Sequence, residues 1–363
     1  MPTSALTMHL SFLSAVGMLG LANAVSVAVI PPYPVNGTSA VQFALDGPFD
    51  APKTDFFNQS TFQWWYFDAL SEDLKQSIVF TFYANTAAAS GVVGSPFNGL
   101  TLNLQLANGS MPEFAVPSEA ILMATVGEGL SAIMNGTGYS WYESSDLSFV
   151  YIDINDKFNN ITGSFQIASG APHHAMCGPA TEGASLLVID GLGWANSIPD
   201  GTALIDLNVN GEKFKFKGVG YHDSNWGVQA SSSSESAMWY WGHARVGPYS
   251  IVWSDVLDIA ASKEFQSGYV AKHGEIISDS CGNITVRPTG QNSTWPPIPG
   301  QQPSGFHIVY DMGGNGVLDV NITNSETISY EPLAYSRWVG STVGGIQGQD
   351  MYKGVALYEW EGG

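Results

Sequence analysis

The chain has 363 residues, with 12 Lys and Arg against 32 Asp and Glu, for a formal net charge of −20. This acidic field repels phosphate backbones and anionic headgroups, which argues against nucleic acid and acidic membrane surfaces as partners. Hydrophobic residues at 44% allow a large core, while 41 Gly and 19 Pro with only 12% charged residues point to β-structure joined by turns.

Residues 1–24 contain no Lys, Arg, Asp or Glu. An apolar run over residues 10–21 ends in Ala22-Asn23-Ala24, a small-x-small pattern, so residues 1–24 read as a cleaved signal peptide. An uncleaved anchor is the alternative, because apolar residues continue over 25–30. No later stretch is long and apolar enough for a spanning helix, so no stable membrane span is expected after cleavage. Eight N-x-S/T sequons, at Asn36, Asn58, Asn108, Asn135, Asn160, Asn283, Asn292 and Asn321, agree with a secreted or lumenal glycoprotein. The two cysteines, Cys177 and Cys281, are expected to pair in such an oxidising compartment, with two buried free thiols as the alternative.

The body of the chain reads as all-β. Alternating or β-rich runs recur at residues 63–68, 77–83, 100–106, 147–154, 164–167, 186–189, 203–209, 213–219, 238–246, 249–257, 307–310, 318–322 and 355–360, separated by Gly, Asn and Pro. Asn210-Gly211 predicts a two-residue hairpin turn, and Gly247-Pro248 a second turn. Residues 116–135 are the best candidate for a short helix, although Gly127 and Gly129 interrupt them. The serine-rich run 231–236 marks a mobile loop or a boundary, which divides the chain into units over 25–230 and 231–363. The proline-rich stretch 288–303 reads as a surface excursion or a lid.

The chain has no G-x-G-x-x-G, P-loop, G-x-S-x-G or H-E-x-x-H signature, so no cofactor and no metal are expected. His173-His174 near Cys177 reads as a loop feature in preference to a metal site. Three aromatic constellations remain. In Phe62-Gln63-Trp64-Trp65-Tyr66-Phe67-Asp68, a strand places Gln63, Trp65 and Phe67 on one face and Trp64, Tyr66 and Asp68 on the other. Sandwich packing explains the rings, but a buried Gln63 amide needs partners. In the second, glycines bracket Tyr221-His222-Asp223-Ser224-Asn225-Trp226, as expected where backbone turns sharply or approaches a ligand. The third is a predicted hairpin over 238–255. Trp241, His243 and Arg245 share a face of its first strand, and Tyr249, Ile251, Trp253 and Asp255 share a face of its second. An inward Asp255 needs a partner, and a surface-facing Asp255 is the alternative.

Together, Q-W-W-Y-F-D, G-V-G-Y-H-D-S-N-W-G and W-Y-W-G-H-A-R-V-G-P-Y-S-I-V-W-S-D resemble the carotenoid 1,2-hydratase-like superfamily, which includes fungal Diels–Alderases. The resemblance implies two tandem lipocalin-like β-barrel or sandwich domains with a pocket for apolar small molecules at or near their junction. The hydratase pattern has a catalytic His at the place of Ser224, a Trp at Trp226, a Tyr at Trp253 and an Asp at Asp255. Ser224 and Trp253 are poor proton donors, which disfavours alkene hydration. Decalin-forming Diels–Alderases carry a substrate-binding Glu at the place of Gln63 and a Trp at Trp226. The signal peptide, sequons and cysteines look more like secreted hetero-Diels–Alderases that join a tropolone-derived quinone methide to a humulene-type sesquiterpene. The resemblance therefore implies a cofactor-independent pericyclase. Gln63, His243 and Asp255 are its expected polar catalytic groups, and Trp65, Phe67, Trp226, Trp241 and Trp253 its expected pocket walls. A terpenoid or polyketide hydratase or isomerase, and a non-catalytic carrier of apolar ligands, are the alternatives.

Overall fold

The computed structural model describes residues 25–85, 97–228, 237–259, 261–291, 293–298 and 300–362. The expected signal peptide, the serine-rich run and Asn292 lie outside these residues. Within them the regular structure is β, apart from one 3-10 turn at Gly313–Asn315.

Two antiparallel sheets carry the fold. The first has 15 strands and runs from an edge at Val25–Ile30, through Leu192–Val209, Glu212–Val228, Thr61–Ser71 and Ser77–Ala84, to an edge at Glu113–Pro117. It curls into a half-barrel whose interior buries Phe67, Phe80, Phe82, Ile152, Phe165 and Ile205. The second has nine strands, with Ala237–Val246 beside Tyr249–Asp258, and wraps into a nearly closed barrel around Tyr240, Trp253, Phe306, Trp338 and Tyr358. A third apolar cluster fills the seam between the sheets, joining Tyr66, Leu70 and Tyr221 to Trp241, Val252 and Leu357. The architecture is the expected lipocalin-like, all-β one.

Local sequence explains the turns. Asn210 and Gly211 have φ of 56° and 90°, the paired positive values that a two-residue hairpin turn requires. Residues 116–135, read as a helix, instead contribute the strands Ala120–Val126 and Gly129–Asn135, with Gly127 turning between them at φ 60°. Burial along Ala120–Val126 alternates with a period of two. Short apolar runs do not separate strand from helix by periodicity alone, and tertiary pairing decided this one. In the proline-rich stretch, Trp295 packs on Tyr240 of the barrel, with ring centroids 5.4 Å apart.

Two features tie the assembly together. Cys177 and Cys281, 104 residues apart, form a disulfide that links the segment beside Gly178–Pro179 to the barrel strand Glu275–Cys281. Residues 31–60 form no extended ladder strand. They cross one end of the half-barrel as a strap, held by the isolated bridges Val41↔Thr54 and Ala44↔Ser185, and place Leu45 and Phe49 over Trp226.

Candidate active site

Thr61–Ser71 and Glu212–Val228 are neighbours in the register Gln63↔Trp226, Trp65↔Ser224 and Phe67↔His222. The pleat therefore puts these six side chains on one face and Tyr66, Asp68, Tyr221 and Asp223 on the other. The first face looks into the half-barrel and the second into the seam.

On the inner face, His222 lies flat on Phe67, with ring centroids 3.8 Å apart and 8° between planes. Its Nδ1–H donates to the Tyr66 carbonyl at 2.8 Å. That leaves Nε2 facing Asp50 Oδ2 at 3.2 Å and Glu143 Oε1 at 3.4 Å, with all three side chains fully buried. Asp50 Oδ1 also accepts from Ser197 Oγ at 3.1 Å, and Glu143 Oε2 accepts from the Leu130 N–H at 3.0 Å. Burial opposes an imidazolium, but Asp50 and Glu143 outweigh it and hold the His222 pKa well above its ordinary value. Burial, and then the charge of Asp50, push the Glu143 carboxyl up to about 8. Both shifts have the same direction: the trio holds its protons more tightly than a separate imidazole and carboxyl would. The donor set would also suit a divalent cation, since its three ligand atoms lie within 4.8 Å of one another. Nδ1–H held on the Tyr66 carbonyl leaves Nε2 free to face either a shared proton or a cation between the two acids.

Aromatic rings enclose the trio. Trp141 stands 5.9 Å from Trp65, 5.9 Å from Phe67 and 4.7 Å from Phe82 between ring centroids. Gln63 Nε2, Trp141 Nε1 and Ser224 Oγ are buried without a hydrogen-bond partner among the described residues. A buried polar group left unpaired costs about 1–3 kcal/mol, so such groups mark places where a ligand or water supplies the partner.

The seam holds a second polar network. His243 Nε2 donates to Asp68 Oδ2 at 2.9 Å and stacks on Tyr221, with centroids 4.6 Å apart. The Tyr66 hydroxyl donates to Asp68 Oδ2 at 2.8 Å. Trp194 Nε1 and the Tyr221 hydroxyl each donate to Asp223 Oδ2 at 2.7 Å, and burial pushes the Asp223 carboxyl up to about 7. Arg337 pairs with Glu359 at 3.1 Å and stands 5.2 Å over the Tyr66 ring.

The expectation of one pocket walled by all the singled-out residues is corrected here. Gln63, Trp65 and Phe67 line the half-barrel interior, with Trp226 at its strap-covered end. Trp241 and His243 lie in the seam. Trp253 and Asp255 lie inside the second barrel, because the register Gly242↔Trp253 and Tyr240↔Asp255 sets odd residues of one strand opposite even residues of the other. Trp253 thus occupies the opposite sheet face from Trp241. Asp255 is not at the surface: it is fully buried and pairs with Arg287 at 2.8 Å. His174 belongs to a buried structural contact, with Nε2 2.9 Å from Asn196 Oδ1 and its ring stacked on Tyr269. Asp50 and Glu143 escaped the sequence reading. They stand in no motif, and Asp50 meets His222 across 172 residues of chain.

Residues 33–287 match the Diels-Alderase-like family, and the chain belongs to it. It is 34% identical over 359 residues to the quinolone epoxide rearrangement protein penF of Penicillium thymicola, covering 93% of this chain and 96% of that one. It is 32% identical over 334 residues to the quinolone epoxide rearrangement protein asqO of Emericella nidulans, covering 89% of each. The fold superposes on the crystal structure of CghA with Sch210972 at a TM-score of 0.75 and 14% identity, covering 93% of this chain and 98% of that one. These relatives support a catalytic role on small molecules, in the pericyclase and rearrangement chemistry of fungal natural-product pathways.

Proposed function

We propose that the chain catalyses the cofactor-independent, acid-promoted rearrangement of an epoxide on a quinolone-type aromatic scaffold inside the half-barrel. The observation that carries this reading is the Asp50–His222–Glu143 trio, fully buried beside the Phe67 ring, where burial and Asp50 push the Glu143 carboxyl up to about 8. Glu143 gives its proton to the epoxide oxygen as a C–O bond breaks, and the electron pair leaves with the oxygen. The faces of Phe67, Trp65 and Trp141 stabilise the cation formed at carbon. A neighbouring substituent migrates to that carbon with its bonding pair. The oxygen-bearing carbon becomes a carbonyl, and its O–H proton returns to Glu143. Substrate and product are isomers, so no co-reactant is consumed. A positioned acid contributes about 10²–10⁴-fold to the rate. The two relatives named for quinolone epoxide rearrangement support the substrate class.

A second reading keeps the pericyclic chemistry: hetero-Diels–Alder joining of a tropolone-derived quinone methide to a humulene-type sesquiterpene. The unpartnered Gln63 Nε2 favours it, because a buried donor on a carbonyl oxygen stabilises charge developing there during cycloaddition. Secretion and glycosylation form part of the proposal. Asn36, Asn108, Asn135, Asn160, Asn283 and Asn321 are exposed, and Asn58 is half-buried.

The test offers purified protein, with a chelator present, either a quinolone epoxide in heavy-oxygen water or the quinone methide with a humulene-type alcohol. Products are followed by chiral chromatography with mass detection. The expected result is faster formation of one isomer of the epoxide, with no net addition of water. A product heavier than the epoxide by one heavy water would mean hydration instead. Acceleration only in the second mixture would transfer the function to cycloaddition, and acceleration in neither would remove both substrate classes.

A further inference from the structure

Where the strap meets the half-barrel, one cation is buried beside the trio and takes no part in it. Lys53 is 2% exposed. Its Nζ donates to the Pro48 carbonyl at 2.8 Å and stands 5.9 Å over the Trp226 ring. An ammonium has three protons to donate, and no other hydrogen-bond partner of this Nζ is found among the described residues. The acids facing it are Asp46, Asp50 and Glu128. Asp50 is engaged by His222 and Ser197, Glu128 accepts the Phe49 N–H at 2.8 Å, and none of the three forms an ion pair with Lys53. Burial is the largest influence on the amine and lowers its pKa to about 8, so the charged form lacks the solvation or full pairing that would hold it at its ordinary value.

The same residue orients a second donor. The backbone N–H of Lys53 donates to Gln63 Oε1 at 2.8 Å, which fixes the Gln63 amide while its Nε2 stays without a partner. Trp226 lies directly opposite Gln63 in the strand register, and its Nε1 is tied to the Gln42 carbonyl at 2.6 Å. One corner thus gathers an under-coordinated ammonium, an unpartnered amide N–H and a fixed indole.

We propose that Lys53, Gln63 and Trp226 form a subsite for the acidic enol–carbonyl edge of a planar aromatic substrate, a vinylogous acid. The inference rests on the reading of the half-barrel as the catalytic chamber. Enolate and carbonyl oxygens accept from Lys53 Nζ and Gln63 Nε2, and the ring system packs beside Trp226. Hydroxyquinolones and tropolones share this edge, so the subsite serves either substrate family considered above.

The test measures binding without turnover, by calorimetry on the full chain. The probes are a hydroxyquinolone and tropolone, each against its O-methyl ether, which keeps the ring and loses the acidic proton. Both acids should bind at least about tenfold more tightly than their ethers, as charge-assisted hydrogen bonds require. Lys53→Met should abolish the difference, and Lys53→Arg should keep part of it. Equal affinity of acid and ether, no binding of either acid, or undiminished discrimination in Lys53→Met would overturn the subsite. Should Lys53→Met fail to fold, the wild-type comparison and Gln63→Leu still decide. Glu143→Gln should retain the discrimination, so loss of catalysis and loss of the subsite are read separately.

Discussion

Burial is the first influence that pushes the Glu143 carboxyl up, Asp50 adds a like charge, and His222 and the Leu130 N–H oppose them without cancelling them. Glutamine keeps the shape without the transferable proton, so Glu143→Gln should slow turnover by about 10²–10⁴-fold while leaving the melting temperature nearly unchanged at about pH 4, where Glu143 is largely protonated whether folded or unfolded. Removing His222 is different in kind, because it strands Asp50 as an unpaired buried charge. His222→Gln should cost about 3–5 kcal/mol of stability, read from urea denaturation. The Glu143 shift also fixes a sign. Its native pKa lies above the unfolded value near 4.5, so its stabilising contribution is complete below that pH and lost progressively as pH rises to about 8. Urea midpoints across that window should fall less steeply with pH in Glu143→Gln than in the wild type. At this scale the sequence was only partly informative. Strand alternation correctly grouped Gln63, Trp65 and Phe67, and a buried Asp255 was correctly said to need a partner, which is Arg287. The acids of the trio were invisible because they reach His222 from distant segments.

Among the elements, the paired strands Leu192–Val209 and Glu212–Val228 shape the floor of the site. Gly193 lies beneath Trp226 in register, and a Cβ there would stand 2.4 Å from Trp226 Cε2. Gly193→Ala should therefore displace the indole and cost about 1–3 kcal/mol, with altered product selectivity as the second readout. The strap carries Asp50 of the trio and lies over fully buried groups, so movement of residues 31–60 would open a route for substrate. These residues lack the continuous ladder of the strands beneath them, so their amides should exchange with solvent before those of Thr61–Ser71. Most strand positions were legible from alternation and turn residues, down to the Asn210-Gly211 hairpin. The misread 116–135 segment and the split of Trp241 from Trp253 share a cause. Pairing partner and register are properties of the assembled sheet, and a one-residue offset reverses which side chains face inward.

For the whole molecule, the fold sets two polar networks back to back across one pair of strands, the trio inside the half-barrel and Asp68–His243 in the seam. The Cys177–Cys281 bridge spans that seam and closes a loop of 104 residues. Replacing both cysteines by serine should remove about 4–5 kcal/mol in the chain-entropy view, measurable as a lowered denaturation midpoint. The lipocalin-like architecture was within reach of the sequence because its aromatic motifs are local. The division of chemistry between half-barrel and seam was not, because it depends on how two sheets meet.

The most direct measurement is the pH dependence of kcat/KM on a quinolone epoxide, for the wild type and Glu143→Gln. A proton held by Glu143 predicts a steady wild-type rate that falls about tenfold per pH unit above about 8, and a variant slowed by at least about 10²-fold that lacks this limb. A wild-type rate unchanged through that range, or a Glu143→Gln protein with full activity, would contradict the buried carboxyl as the acid.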